Sequence, residues 1–171
     1  MKLKILTLCT IGFLAFSLTG CPPKKQIKKE EPKPEEQQPP KPVEEPSLRG
    51  KDYQVVPEIS TVYFDLDQAT LRADARDTLA KNYEALKQHT DWEALVEGHC
   101  DERGTTEYNL GLGQKRAAAI RQYYITLGLD GGRVATISYG KEQPVCTEHT
   151  DECWGKNRRG VTKVRVPEQG K

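Results

Sequence analysis

WEALVEGHCDERGTTEYNLGLGQKRAAAIRQYYITLG, residues 92–128, changes its hydrophobic period part-way, and that change decides the fold. From Trp92 to His99 apolar and polar positions alternate, which is the period of a strand. Further on, Leu110, Ala117, Ile120, Tyr124 and Leu127 fall on one helical stripe, and Gly128 stands just past its end as a C-cap. Between the two periods lies GHCDERGTTEYN, residues 98–109, which crowds His99, Cys100, Asp101, Glu102 and Arg103 into consecutive positions. A loop between a strand end and a helix start presents side chains and unpaired helix amides, so it suits polar and anionic ligands. Gly104 permits a tight turn there.

Outward from this core the same two periods recur. Thr61–Asp65 (TVYFD) is β-branched and aromatic and reads as a strand. Thr70 can cap a helix carrying Leu71, Ala75, Leu79, Tyr83 and Leu86 at helical spacing. Two more strand-like runs follow, Val134–Tyr139 and Val161–Val166. Strands alternating with helices imply an α/β class, an α+β sandwich with its helices on one side of a short mixed sheet. Residues 48–167 have the size of one domain with one core, without internal repeats, and 168–171 form a tail.

The N-terminal third differs in kind. Residues 1–20 read as a secretory signal: Lys2 and Lys4, an apolar run from Ile5 to Leu18, then small residues before Cys21. Leu18-Thr19-Gly20-Cys21 resembles the lipobox of bacterial lipoproteins, in which the Cys is acylated. Two acyl chains suffice for stable anchoring at about 0.8 kcal/mol per buried methylene, so Cys21 is expected to hold the chain to a membrane. Pro22 follows it, where an Asp would direct retention at the inner membrane, so outer-membrane delivery is expected, with the domain facing the periplasm. Residues 21–47 are expected to form a disordered tether, because their Pro, Lys, Glu and Gln offer too little apolar surface to offset ordering. In polyproline II at about 3.1 Å per residue, Pro22–Pro46 would reach on the order of 80 Å.

Charge and cysteines narrow the function. The chain carries a formal charge of +1, and losing Lys2 and Lys4 would leave about −1. Such balance argues against nucleic acid as the partner. Cys9 would leave with the signal, so Cys100, Cys146 and Cys153 remain. Cys146 and Cys153 can form a disulfide in an oxidising compartment, or join His99 and His149 as ligands of a zinc enzyme; the absence of a C-x-x-C pair favours the disulfide. Cys100 reads as a small buried residue. No G-x-S-x-G and no H-E-x-x-H occurs, so a non-enzymatic binding module without a cofactor is expected.

Five motifs then stand in order: FDLD at 64–67, GHCDERGTTEYN at 98–109, LGLGQKRA at 110–117, SYGKEQP at 138–144 and NRR at 157–159. Together with the lipobox and tether they resemble the peptidoglycan-associated lipoproteins of the OmpA C-terminal-like family, over nearly all of 58–166. The resemblance implies a βαβαβ sandwich, non-covalent binding of the meso-diaminopimelate of peptidoglycan stem peptides, and Tol proteins as partners in envelope integrity and cell division. It places Asp101 on the ligand ammonium, Arg116 on the ligand carboxylate and the amide of Asn109 against the ligand. The backbone around Phe64, Asp65, Cys100 and Arg103 would line the pocket. A zwitterion suits such a pair, since it needs one carboxylate and one fork of N–H donors. Asp101 and Arg116 can equally pair with each other as a structural salt bridge, or do so only in the empty site. His99 is expected to be structural support. Asn157, Arg158 and Arg159 are open between helix capping with solvent-facing charge and a binding role.

Overall fold

A computed structural model describes residues 52–165. The signal 1–20, Cys21, the tether 21–47, Val166 and the tail 168–171 lie outside the described residues. The elements run β1 (Val62–Tyr63), α1 (Ala73–Gln88), β2 (Glu93–His99), α2 (Thr106–Leu127), a short 3₁₀ turn (Gly131–Arg133), β3 (Val134–Gly140), α3 (Asp151–Asn157) and β4 (Arg159–Arg165). The sheet order is β1-β4-β2-β3. β4 runs antiparallel to both β1 and β2, whereas β2 and β3 are parallel, with Ala94 opposite Val134 and Val96 opposite Thr136. A parallel pair needs a crossover of a dozen or more residues, and α2 supplies it.

β2 is flanked by a strand on each side and is buried on both faces. Ala94 and Val96 face the helices and pack with Ala75, Leu79 and Leu86 of α1, Ala117, Ile120 and Tyr124 of α2, and Val134 and Val164 of the neighbouring strands. On the other face Glu97 is buried as a carboxylate, bonded by Lys163 Nζ at 2.8 Å and facing His99 Nε2 at 3.4 Å. Burial alone would raise the Glu97 pKa, but the bonds from His99 and Lys163 outweigh it and hold the group below the usual range. His99 is the expected structural residue, fully buried and stacked on Tyr139 at 5.5 Å.

The helices meet the sheet at one exceptionally close point. A Cβ added to Gly98 would lie 1.9 Å from the carbonyl oxygen of Gly113, and one added to Gly113 would lie 2.3 Å from Ser138 Oγ. Only glycine at both positions lets the α2 backbone rest on the ends of β2 and β3. Deeper in the core, the buried Tyr124 hydroxyl joins α2 to β4 and α1 through Thr162 Oγ1 at 3.0 Å and Asn82 Nδ2 at 3.3 Å.

Several boundaries differ from expectation. α1 begins at Ala73 after Arg72, whose side chain makes no capping bond, so Thr70 is not the cap. Leu71 packs against the core from outside the helix. Leu110 is exposed, and the buried stripe of α2 opens instead on Asn109, Gly113 and Arg116, polar or small residues that a hydrophobic count passes over. α3 was not anticipated; seven residues rich in charge carry too little apolar period to read as a helix.

The glycine contact makes a direct test in one helix. Gly98→Ala should cost about 3 kcal/mol or more by overpacking backbone against backbone. Gly111→Ala, with open space around the same helix, should stabilise by about 0.5–1 kcal/mol through helix propensity. Urea unfolding of the two variants measures both, and equal effects would discount the close approach.

Candidate functional site

Above the Gly98–Gly113 contact, three segments surround a cleft of about 360 Å³. They are the loop after β1, the loop joining β2 to α2 with the first turns of α2, and Arg158 at the end of α3. The second loop is built by local chemistry. Gly104 takes φ +92°, Thr105 caps α2 by accepting from the Tyr108 amide at 3.2 Å, and the buried Asn109 amide donates to the carbonyls of Arg103 at 2.8 Å and Thr105 at 3.1 Å. Lys141 Nζ donates to the Gly104 carbonyl at 2.8 Å from the far side.

Asp101 and Arg116 both face this cleft, yet they do not pair. Asp101 is 4 % exposed and accepts from three donors of Arg103: the amide and Nε, each at 3.2 Å, and Nη2 at 2.7 Å. Its Oδ2 also accepts from Arg158 Nη1 at 3.2 Å. Burial pushes the Asp101 pKa up, but these hydrogen bonds pull it further down, so the carboxyl sits below its ordinary range. The salt bridge with Arg116 envisaged for the empty site is therefore replaced by two others, because Arg103 lies in the same turn and Arg158 reaches in from α3.

Arg116 is fully buried and its donors go to main-chain carbonyls. Nε bonds Gln68 O at 2.8 Å, Nη1 bonds His99 O at 2.8 Å, and Nη2 bonds Asp65 O at 3.1 Å. Nη1 also contacts Cys100 Sγ at 3.3 Å, and the guanidinium lies over the Phe64 ring at 5.1 Å. Of the five N–H groups of an arginine, one on Nη2 is left for the cleft. Burial lowers the Arg116 pKa, though a guanidinium stays charged. The same burial raises the Cys100 thiol, which donates to Asn109 O at 3.4 Å and acts as packing.

The remaining expected residues divide. Arg103 lines the cleft, stacked over Trp154 at 4.1 Å. Phe64 and Asp65 lie behind its wall: Phe64 is buried under Arg116, and the Asp65 side chain turns outward to Arg72 at 2.9 Å. Their place in the lining is taken by Leu66 and Asp67. Asp67 adopts φ +58°, and its carboxylate hydrogen-bonds the hydroxyl of Tyr108. Leu66, Asp67, Tyr108 and Leu112 were not foreseen; the alternation of FDLD and the place of Tyr108 in the first turn of α2 were the available signals. In the NRR run each residue has its own task. Asn157 receives the amides of Val145 and Cys146 and donates to Cys146 O, Arg158 enters the cleft, and Arg159 donates to Gln143 O at 3.2 Å.

Cys146 and Cys153 are joined by a disulfide that closes the loop carrying α3. The four residues considered for zinc do not assemble. The two thiols are consumed, His149 pairs with Glu102 at the surface, and His99 is buried against Glu97. Among the described residues no cluster of three or more His, Cys, Asp or Glu could hold a metal ion.

The model of the OmpA family matches residues 63–158. The peptidoglycan-associated lipoprotein of Brucella melitensis is 50% identical over 101 residues, covering 59% of this chain and 60% of that protein. The chain thus spans about three fifths of the length of this curated relative. The crystal structure of the peptidoglycan-associated lipoprotein from Burkholderia pseudomallei aligns with TM-score 0.59 at 39% identity, over 61% of this chain and 88% of that one. The structure of the cell wall anchor of the T6SS from Pseudomonas aeruginosa aligns with TM-score 0.55 at 27% identity, over 62% and 79%.

Two measurements test the site as built. Because the folded pKa of Asp101 lies below its unfolded value of about 3.9, its pairing stabilises fully above that pH and is lost as pH falls through the folded pKa. Asp101→Asn should therefore flatten the acid limb of a stability profile below about pH 4. Cys146→Ser with Cys153→Ser should lower stability by roughly 2.5 kcal/mol on the chain-entropy model for so short a loop, read as a shift in the urea midpoint.

Proposed function

The chain belongs to the OmpA family, and from that premise we propose that it is a non-catalytic envelope anchor whose cleft grips peptidoglycan through the diaminopimelate of the stem peptide. The observation that carries this reading is the buried Asp101 carboxylate facing the same cleft as the Arg116 guanidinium. The free end of diaminopimelate carries an ammonium and a carboxylate on one carbon. Asp101 offers the acceptor for the first, and the N–H left on Arg116 Nη2 offers a donor for the second. Asn109 sets the turn between them, and Leu66, Tyr108 and Leu112 give the methylene chain of the ligand an apolar wall.

The wider assignment follows the sequence. Acylation of Cys21 would place the chain on the outer membrane, and residues 21–47 would let the domain reach the wall across the periplasm. Tol proteins are the proposed partners in envelope integrity and division. The proposed chemistry is binding, with Asp101 held by Arg103 and Arg158 until a ligand arrives.

The test is co-sedimentation of the protein with purified cell wall. Asp101→Ala and Arg116→Ala should each reduce the bound fraction at least tenfold, the loss of about one buried charge-assisted contact. The urea midpoints of both variants check that the loss does not come from unfolding. Undiminished sedimentation of both Ala variants would overturn the site. Equal binding to walls with lysine in place of diaminopimelate would overturn the ligand.

A further inference from the structure

Arg158 has a geometry that a purely structural ion pair does not require. Its main chain is fixed on both sides, with its amide bonded to Trp154 O at 3.0 Å and its carbonyl accepting from Phe64 N at 2.9 Å. Its Nε donates to Phe64 O at 3.1 Å, which aims the guanidinium into the cleft. Only Nη1 reaches a carboxylate, a single 3.2 Å contact with Asp101 Oδ2. Arg103 is bound to the same carboxylate by three donors and stacks on Trp154. Of the two cations on Asp101, Arg158 is the one held weakly by the acid and firmly by the backbone.

The charges lining the cleft point the same way. Asp67 and Asp101 face Arg103, Arg116 and Arg158, so one positive charge is left over. Arg116 cannot meet a ligand carboxylate alone as a fork, because its Nε, its Nη1 and one N–H of Nη2 already have acceptors. A ligand ammonium arriving at Asp101 Oδ2 would take the acceptor that Arg158 uses. The carboxylate on the same carbon would then lie within roughly 3 Å of that ammonium, from bond lengths near 1.5 Å. That position is beside the donor just released.

We propose that Arg158 is a specificity-determining residue that exchanges partners on binding, giving up Asp101 to the ligand ammonium and taking the ligand carboxylate jointly with Arg116. The inference rests on the diaminopimelate reading above and adds to it a second cation and an order of events. The exchange gains ion pairs: the Arg158–Asp101 contact is lost, while the ligand ammonium pairs with Asp101 and its carboxylate with Arg158 and Arg116. Nε stays on Phe64 O throughout, so the guanidinium swings about a fixed hinge and needs no backbone movement. α3, closed by its disulfide, holds the hinge in place.

The experiment is a titration of the full chain in detergent with two synthetic stem peptides. They differ only in whether the carboxyl beside the side-chain amine of diaminopimelate is free or a carboxamide. The wild-type protein should bind the free acid at least about tenfold more tightly. Arg158→Gln should weaken the free acid by about tenfold and leave the amide within about twofold, collapsing the preference. Arg158→Lys, which retains the charge and tests against misfolding, should keep part of it. A loss by Arg158→Gln that is equal for both peptides, or no loss for either, would overturn the exchange while leaving the ligand assignment intact. Failure of the wild-type protein to bind either peptide would overturn the ligand reading itself, and the exchange with it.

Discussion

A guanidinium with no water around it has to be answered by fixed acceptors, and around Arg116 those acceptors are the main-chain carbonyls of Asp65, Gln68 and His99. Two come from the loop after β1 and one from the end of β2, so a single side chain of α2 welds two segments far apart in sequence. Charge-assisted hydrogen bonds contribute about 1.5–3 kcal/mol each, and together they offset the cost of burying the ion. The Phe64 face beneath the guanidinium adds a further favourable contact. None of this forms unless α2 comes down onto the strand ends. The paired glycines at 98 and 113 make the approach possible, and the cleft is the space left above it.

The cleft is thus an electrostatic arrangement set up before any ligand arrives. Asp101 is buried, but its charge is retained by Arg103 and Arg158, so its desolvation is met in the empty protein. α3 and its flanks supply the counterweight to the β2–α2 loop. Trp154 stacks on Arg103 and donates to Glu102 at 2.8 Å, and Arg158 closes the circuit from the other end. The disulfide and the Asn157 bonds to Val145 and Cys146 keep this short helix where those contacts need it. A seven-residue helix would scarcely persist without them.

The legibility of the sequence followed the strength of its periods. β2, β3 and the length of α2 were plain, because alternation and the 3.6 period leave strong marks, and Gly128 at φ +108° is a helix stop. Strand order was not legible: β4 inserts between β1 and β2, a long-range pairing that no local pattern encodes. In the site, Asp101, Arg103, Cys100, Asn109 and Arg116, the residues implied by the family resemblance, all line the cleft. Their partners were not legible in the same way. The pairing considered for Asp101 was Arg116, whereas Arg103, two residues away, takes the carboxylate locally and Arg158 reaches it only because of where α3 docks. Asp67 escaped notice because its role depends on a backbone turn at φ +58°, a conformation that composition does not announce.

On the proposed reading, the internal pairing of Asp101 also sets the character of the grip. A site whose acid is already neutralised gains only the difference between the ligand's ion pairs and its own, so each encounter is weaker than the count of charges suggests. That weakness would be compatible with firm anchorage if several copies were tethered at the membrane through Cys21 as proposed, because a cell wall repeats its stem peptides. Each link can let go while its neighbours hold, and the assembly stays attached through effective concentration rather than through any single tight site. A surface that must slide and be rebuilt as a cell grows is better served by such a clamp than by an unpaired carboxylate waiting in a dry pocket. The unpaired group would also be the harder one to keep charged, since burial pushes the Asp101 pKa upward and only its two arginines pull it back.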